Sequence, residues 1–409
     1  MSVSPGSTTE KGYLLLLGGM AFAVLLAVTA VAMLGPLLVD MSSALDTTVP
    51  VTGQLVTTAA AVWAVTALVV GPFSDAYGRR PVLLLGICLL AAGSLGMGLA
   101  PSFAAAMGFS VLVGIGAGMV PATCVALVGD TFPEPRRPMS IAIITMQPGM
   151  SSVLGVPLSA VLGDFAGWRF PFLVLGLALL LAALLLFILV PDRRARTTRL
   201  DLAGRLRRIA TFPVTWYMAG TNLLARIAWG VIVTFFPAYL IVTYGLRTVE
   251  VALPVAVVAL WTTAAPLLGG RIGRGARRLP VTAALLLAAT VPGLGVFLLG
   301  LGTWFSVLTA GLFMLLIVPV TTILMILAAE TGGASRGALA GVISCSNWGG
   351  TAVGAAIGGA LVAQVGYGAL SFLLVGAILG SGLLMAFVVN DNAVARARDR
   401  FSTAPDPDS

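Results

Sequence analysis

Long apolar runs alternate with short polar breaks along almost the whole chain. Twelve such runs stand at approximately 13–39, 50–72, 81–100, 103–129, 138–163, 169–190, 213–243, 249–270, 279–300, 303–329, 337–364 and 367–389. A helix needs about 20 apolar residues to cross the hydrocarbon layer of a bilayer, and each run meets or closely approaches that length. They are too long and too evenly apolar for the alternating strands of a membrane barrel. The pattern therefore predicts an all-α membrane protein of twelve transmembrane helices. The first run is too long for the core of a signal peptide and lacks a clear cleavage site, so it is read as the first span.

Composition agrees with lipid as the solvent. The 409 residues are 59% hydrophobic and 9% charged, with a mean hydropathy of +1.06. A soluble chain carries about 25% charged residues. The net charge of +8 would suggest nucleic acid, but its placement argues against that. The cations gather in short clusters between the runs, where a topology signal belongs. Of the 23 Lys and Arg residues, only Arg169 and Arg247 fall on one side of the twelve-span scheme, and only Arg226 lies inside a span. The rest share the other side, with Arg79, Arg80, Arg136, Arg137 and the Arg193–Arg208 cluster among them. The positive-inside rule puts that side, both termini and the central loop in the cytoplasm. The expected organisation is a tail over 1–12, a six-helix bundle over 13–190, a basic linker over 191–212, a second bundle over 213–390 and a tail over 391–409. Within the linker, 201–209 reads as a short basic amphipathic helix on the inner leaflet.

The three cysteines, Cys88, Cys124 and Cys345, sit inside apolar runs and form neither a disulfide framework nor a metal spacing. There is no histidine, so imidazole catalysis, ligation and proton relay drop out together. No cofactor or metal is expected, and the chain is read as a monomer.

The halves repeat each other. At an offset of 199, Gly155-x-Pro157 falls on Gly354-x-Ala356, Gly167-Trp168 on Gly366-Tyr367, and Arg137 on Arg336. Pro121 pairs with Pro319, and Asp130-Thr131 with Glu330-Thr331, at offsets one residue either side. The segment Gly71–Pro81 pairs with Gly269–Leu279, so Arg79-Arg80 stands over Arg277-Arg278. Two like six-span bundles imply pseudo-symmetry, and such bundles can rock about a shared interface around a midplane site.

Between runs 2 and 3 stands Gly71-Pro-Phe-Ser-Asp75-Ala-Tyr-Gly78-Arg79-Arg80-Pro81. This resembles the signature loop of the major facilitator superfamily, G-x-x-x-D-x-x-G-R-R/K, and the twelve-run plan and the repeat extend the likeness over the whole chain. The resemblance implies a transporter working by alternating access. It also implies a charge latch on the cytoplasmic side made by Asp75, Arg79 and Asp130. In the second copy the acid position is Gly273, which leaves Arg277 and Glu330. Run 5, with Gly149, Gly155, Pro157 and Gly167-Trp168, resembles in part the motif of the sugar and drug efflux branch, where Gly155 and Pro157 would serve helix packing. Run 4 departs from the drug:proton antiporters: Gly114, Gly116 and Gly118 are present, but Ser110 stands where an arginine is expected.

Ionisable groups inside a span are the first functional candidates. Arg226 is the one charge near a span centre, and Asn222, Arg226 and Trp229 share a helical face at i, i+4 and i+7. An arginine keeps its charge, and all fifteen acids lie near span ends, in loops or in tails. Either an anionic substrate or neighbouring helix carbonyls would answer it. Gln147, Asn347 and Trp348 are substrate contacts or interhelical glue, and Trp63 and Trp261 line a cavity or pack. Asp40, with Asp75, is the candidate for proton coupling. The reading is an exporter of a sugar, drug-like compound or metabolite in a bacterial cytoplasmic membrane, coupled to protons. The alternative is an importer or facilitator of an organic anion. No catalytic dyad supports an enzyme. Labelling with an impermeant reagent should place a cysteine substituted for Arg199 in the cytoplasm, and labelling from outside intact cells would refute the topology.

Overall fold

The computed structural model describes residues 10–191, 213–273, 277–331 and 336–387; both tails up to and beyond these limits, and the linker 192–212 with its amphipathic segment, lie outside them. The described residues are helices and short connections, with no strand among them. Span 1 is Glu10–Ala32 continued as Leu34–Ala44, and a short helix, Val49–Thr52, leads into span 2, Gln54–Tyr77. Spans 3 and 4 are Arg79–Leu99 and Phe103–Thr131. Span 5 comes in pieces, Arg137–Thr145, Gln147–Met150, Ser151–Gly155 and Val156–Ala166, and span 6 is Arg169–Leu189. Spans 7 to 12 are Pro213–Tyr244, Ala252–Gly273, Arg278–Phe297, Thr303–Thr331, Arg336–Gln364 and Gly368–Phe387. Among the described residues, eleven helices are long and apolar enough to cross a bilayer. Span 11 has the length, at 29 residues, but Ser344, Ser346, Asn347 and many glycines dilute its hydropathy.

Helix ends follow local chemistry more closely than the apolar runs do. Span 9 stops at Phe297, short of the expected 300, because Gly300 and Gly302 take φ of 59° and 117°, values a side chain resists. Gly167 and Gly366, which the repeat pairs, adopt φ of 84° and 98°. Both sit just past a helix end, at a positive φ that glycine takes without a Cβ penalty. Span 1 breaks at Met33 because the Pro36 ring meets the carbonyl of Ala32, four residues back. In span 5, Ser151–Gly155 forms a π-helical turn between Pro148 and Pro157, each of which removes one rung of the α-ladder.

Two cores form. Met20, Leu37, Leu83, Leu90 and Leu179 belong to one, built on spans 1 to 6. Phe235, Phe313, Leu324, Leu370 and Ile378 belong to the other, built on spans 7 to 12. Leu184, Ile188, Val291, Val365 and Phe372 are exposed, as the lipid-facing surface requires. Lipid tails supply no hydrophobic drive between helices, so close packing of small residues must hold them. In span 4, a Cβ added to Gly114 would lie 2.6 Å from the carbonyl oxygen of Ala59 in span 2, and one on Gly116 would lie 2.5 Å from that of Gly86 in span 3.

The tightest seam joins spans 7 and 11. A Cβ on Gly354 would fall 2.2 Å from the carbonyl oxygen of Ile227, and one on Gly350 would fall 2.5 Å from that of Leu223. In return, a Cβ on Gly230 would lie 2.5 Å from the carbonyl oxygen of Thr351. Gly354→Ala must therefore push the backbones apart and should cost about 1–3 kcal/mol, read as a lower unfolding midpoint in detergent. Gly376→Ala, where nothing lies within 4 Å, should leave the midpoint unchanged or raised.

Candidate functional site

The span 7–span 11 seam carries a polar node at mid-membrane. Arg226 lies thirteen residues into span 7, roughly 20 Å along the axis at 1.5 Å per residue. Its Nε donates to Asn347 Oδ1 at 2.9 Å. The same oxygen accepts from Asn222 Nδ2 at 2.7 Å, and that amide nitrogen also reaches Ser346 Oγ at 2.7 Å. Thr321 of span 10 donates to Asn222 Oδ1 at 2.9 Å. Asn222 is fully buried, and this set of partners satisfies both ends of its amide, as a buried polar group requires. The guanidinium carbon lies 4.8 Å from the centroid of the Trp229 ring, within cation–π range.

Asn222, Arg226, Trp229 and Asn347 are thus brought together, with Ser346 and Thr321 added. Nothing in the sequence marked those two, since a lone hydroxyl in a span usually bonds its own helix. Trp348 follows Asn347 and stacks on Trp63 of span 2, with centroids 3.5 Å apart and planes 17° from parallel. This stack joins one half to the other next to the polar node. Gln147 is not part of the node: its Nε2 donates to the carbonyl oxygen of Ile143 in its own helix at 2.7 Å. Trp261 packs where a Cβ on Gly311 would touch its ring at 3.2 Å. Ser110 is buried and bonded to its own helix through the carbonyl oxygen of Met107 at 2.7 Å.

A cavity of about 60 Å³ lies between the halves, lined by Ala32 of span 1, Ser152 and Val156 of span 5, Trp229 and Phe236 of span 7, Val258 and Thr262 of span 8, and Met314 of span 10 among others. Span 5 reaches it through its π-helical turn, which turns Ser152 toward the cavity while Ser151 bonds Thr29 Oγ1 of span 1 at 2.8 Å. A Cβ on Gly155 would come 2.3 Å from that Thr29 oxygen, so glycine there lets spans 1 and 5 meet. Pro157 follows in the first turn of the next helical piece.

Toward the arginine-poor end, the loop after span 7 crosses to the first half. Arg247 Nη2 pairs with Asp164 Oδ2 at 2.7 Å, and Thr248 Oγ1 donates to Asp40 Oδ2 at 2.8 Å. These are the hydrogen bonds between the halves among the described residues. A Cβ on Gly35 would meet the carbonyl oxygen of Val233 at 2.4 Å, so spans 1 and 7 also touch deeper in the bundle. Sequence reading singled out Asp40 but not Arg247, Thr248 or Asp164 as its company, because cross-half pairing depends on how the bundles dock.

At the arginine-rich end, Gly78 takes φ 96° and turns the chain between spans 2 and 3. Arg79 Nε pairs with Asp130 Oδ2 at 2.9 Å, and its Nη1 donates to Ser74 Oγ. This ties the turn to the end of span 4. Gly71 has open space beside it. Arg80 Nη2 donates to the carbonyl oxygen of Phe187 at 2.7 Å. In the second copy Arg277 is exposed. The side chains of Asp75 and Glu330 lie outside the described residues. Among the described residues no group of three or more Cys, Asp or Glu side chains has metal-binding geometry.

Comparison with known proteins gives four findings. The family model described as Major Facilitator Superfamily matches residues 20–344. An uncharacterized MFS-type transporter, YceJ of Bacillus subtilis, is 25% identical over 369 residues, covering 86% of this chain and 93% of its own. The multidrug resistance protein Stp of Mycobacterium tuberculosis is 36% identical over 135 residues, 32% of this chain and 25% of its own length. Among solved structures, a D-xylose–proton symporter superposes with a TM-score of 0.74 at 16% identity, over 93% of this chain and 99% of that one.

The arginine-poor closure can be weighed. The Arg247 side chain is 68% exposed, and a solvated pair of this kind contributes about 0.2–1 kcal/mol. Removing it with Asp164→Asn should shift the balance of open and closed states by up to about fivefold, and adding Asp40→Asn should shift it further. A cysteine replacing Val233, with Cys88, Cys124 and Cys345 changed to serine, would report this through faster labelling from the arginine-poor side. Unchanged labelling would mean that these two links do not hold the closure.

Proposed function

The chain belongs to the major facilitator superfamily and is a multi-pass membrane transporter, and on that premise we propose that it exports a small organic molecule from a bacterial cell, coupled to protons. The observation that carries the proposal is the cavity between the halves, one of whose walls, Trp229, also packs against Arg226 of the polar node. A site at mid-depth between two rocking bundles is what alternating access requires. Export draws support from the partial fifth-span motif and from the multidrug resistance relative.

In this reading the arginine-rich face is cytoplasmic, in the inner membrane, and the protein works as a monomer. The Asp40–Thr248 and Asp164–Arg247 links close the outer face, and the Trp63–Trp348 stack sits at the pivot level. Opening outward breaks those links. Closing inward engages the turn Gly71–Pro81, where Asp75, Arg79 and Asp130, with Arg277 and Glu330 in the second copy, act as the latch. Asp40 is the coupling group: protonation removes the charge that accepts the Thr248 hydroxyl. A charge-assisted hydrogen bond is roughly twice as strong as a neutral one, so protonation loosens the outer closure.

Everted vesicles carrying the protein should accumulate a substrate when the lumen is made acidic and lose it when the pH gradient is collapsed. Asp40→Asn should abolish the response to the gradient and keep substrate–substrate exchange. Gradient-driven accumulation in right-side-out vesicles instead would reverse the direction, and a normal gradient response in Asp40→Asn would remove that residue from coupling.

A further inference from the structure

Arg226 carries more binding capacity than the fold uses. A guanidinium has five N–H donors in a rigid fork, yet here only Nε is engaged, by Asn347 Oδ1. Its terminal nitrogens have no hydrogen-bond acceptor among the described residues, and the side chain keeps part of its surface accessible. Every described acid stands at a span end, so no carboxylate neutralises the charge at this depth. A purely structural arginine would turn its fork onto helix carbonyls. This one instead lies against Trp229, and Trp229 is also a wall of the inter-half cavity.

From this geometry we infer that the transported substrate is an amphipathic organic anion, whose carboxylate, sulfonate or phosphate is held by the free fork of Arg226 and whose flat apolar body lies against Trp229 and Phe236. The inference rests on the transporter reading above and narrows its substrate class. The fork suits two acceptor oxygens side by side. Ser346 and Thr321 hold Asn222, Asn222 holds Asn347, and Asn347 holds Nε, so the side chain is positioned before any ligand arrives and little ordering is left to oppose binding. The cavity contributes apolar surface from Ile232, Val258 and Met314, which a simple inorganic anion would leave unused. Because Asn347 adjoins Trp348, a ligand pulling on Arg226 acts one residue from the stack that joins the halves.

The test uses the full-length protein in detergent and in proteoliposomes, with 1-naphthoate and its neutral isostere 1-naphthamide as probes. Quenching of tryptophan fluorescence should show naphthoate bound about tenfold or more tightly than naphthamide, with neither chloride nor inorganic phosphate displacing it at equal concentration. Arg226→Gln should erase the preference for the anion, so that naphthoate and naphthamide bind the variant with equal affinity. Arg226→Lys should keep part of the preference, since it restores the charge without the fork. Equal affinity for both probes, failure to bind naphthoate, displacement by chloride, or an unaltered preference in Arg226→Gln would each overturn the inference. Proteoliposomes separate this from the broader reading. Carriage of naphthamide without naphthoate would defeat the anion site and leave a transporter, whereas absence of movement across a panel of neutral and anionic compounds would count against both.

Discussion

A permanent positive charge halfway through a helix that must cross lipid is the constraint around which the second half is built. Placing an arginine at the centre of a membrane helix costs about 2.5–3.5 kcal/mol on insertion scales. The cost is met locally. Span 11 brings Asn347 within 2.9 Å of Arg226 Nε, and it comes that close because glycine at 350 and 354 leaves the backbones free to touch. A side chain at either glycine would lift the amide away from the cation. Small residues and polar glue are usually described as separate devices of membrane packing; here the first makes the second possible.

The same seam connects chemistry to motion. Asn347 belongs to the polar node and the next residue, Trp348, belongs to the interface between the halves through its stack on Trp63. Polar and aromatic contacts that occupy neighbouring positions on one helix cannot move independently. The broken form of span 5 serves a related end. In its π-helical turn, Ser151 bonds span 1 and the next residue, Ser152, lines the cavity.

The two membrane faces are handled differently. At the arginine-poor end, the links run between the halves, from Arg247 to Asp164 and from Thr248 to Asp40. At the arginine-rich end, the pair Arg79–Asp130 runs within the first half, holding the turn after span 2 to the end of span 4. The first arrangement sets how the bundles sit against each other; the second stiffens one bundle. The repeat explains why the motif occurs twice in the sequence, and Gly273 stands where the first copy has its acid.

The spans, their helical form and the family were legible from residue order alone. Hydropathy acts locally, and a run of some twenty apolar residues has few options in lipid. Residue order also singled out Arg226, because a lone charge in such a run is conspicuous, and it placed Asn222 and Trp229 on the same helical face by periodicity. The partners emerged only once the helices were packed: Asn347 rather than helix carbonyls for Arg226, Trp63 for Trp348, Thr248 for Asp40, and the retreat of Gln147 onto its own helix. Those choices follow from the docking of one helix on another, which depends on sub-ångström fit between surfaces far apart in the chain, and no periodicity along the chain records that fit.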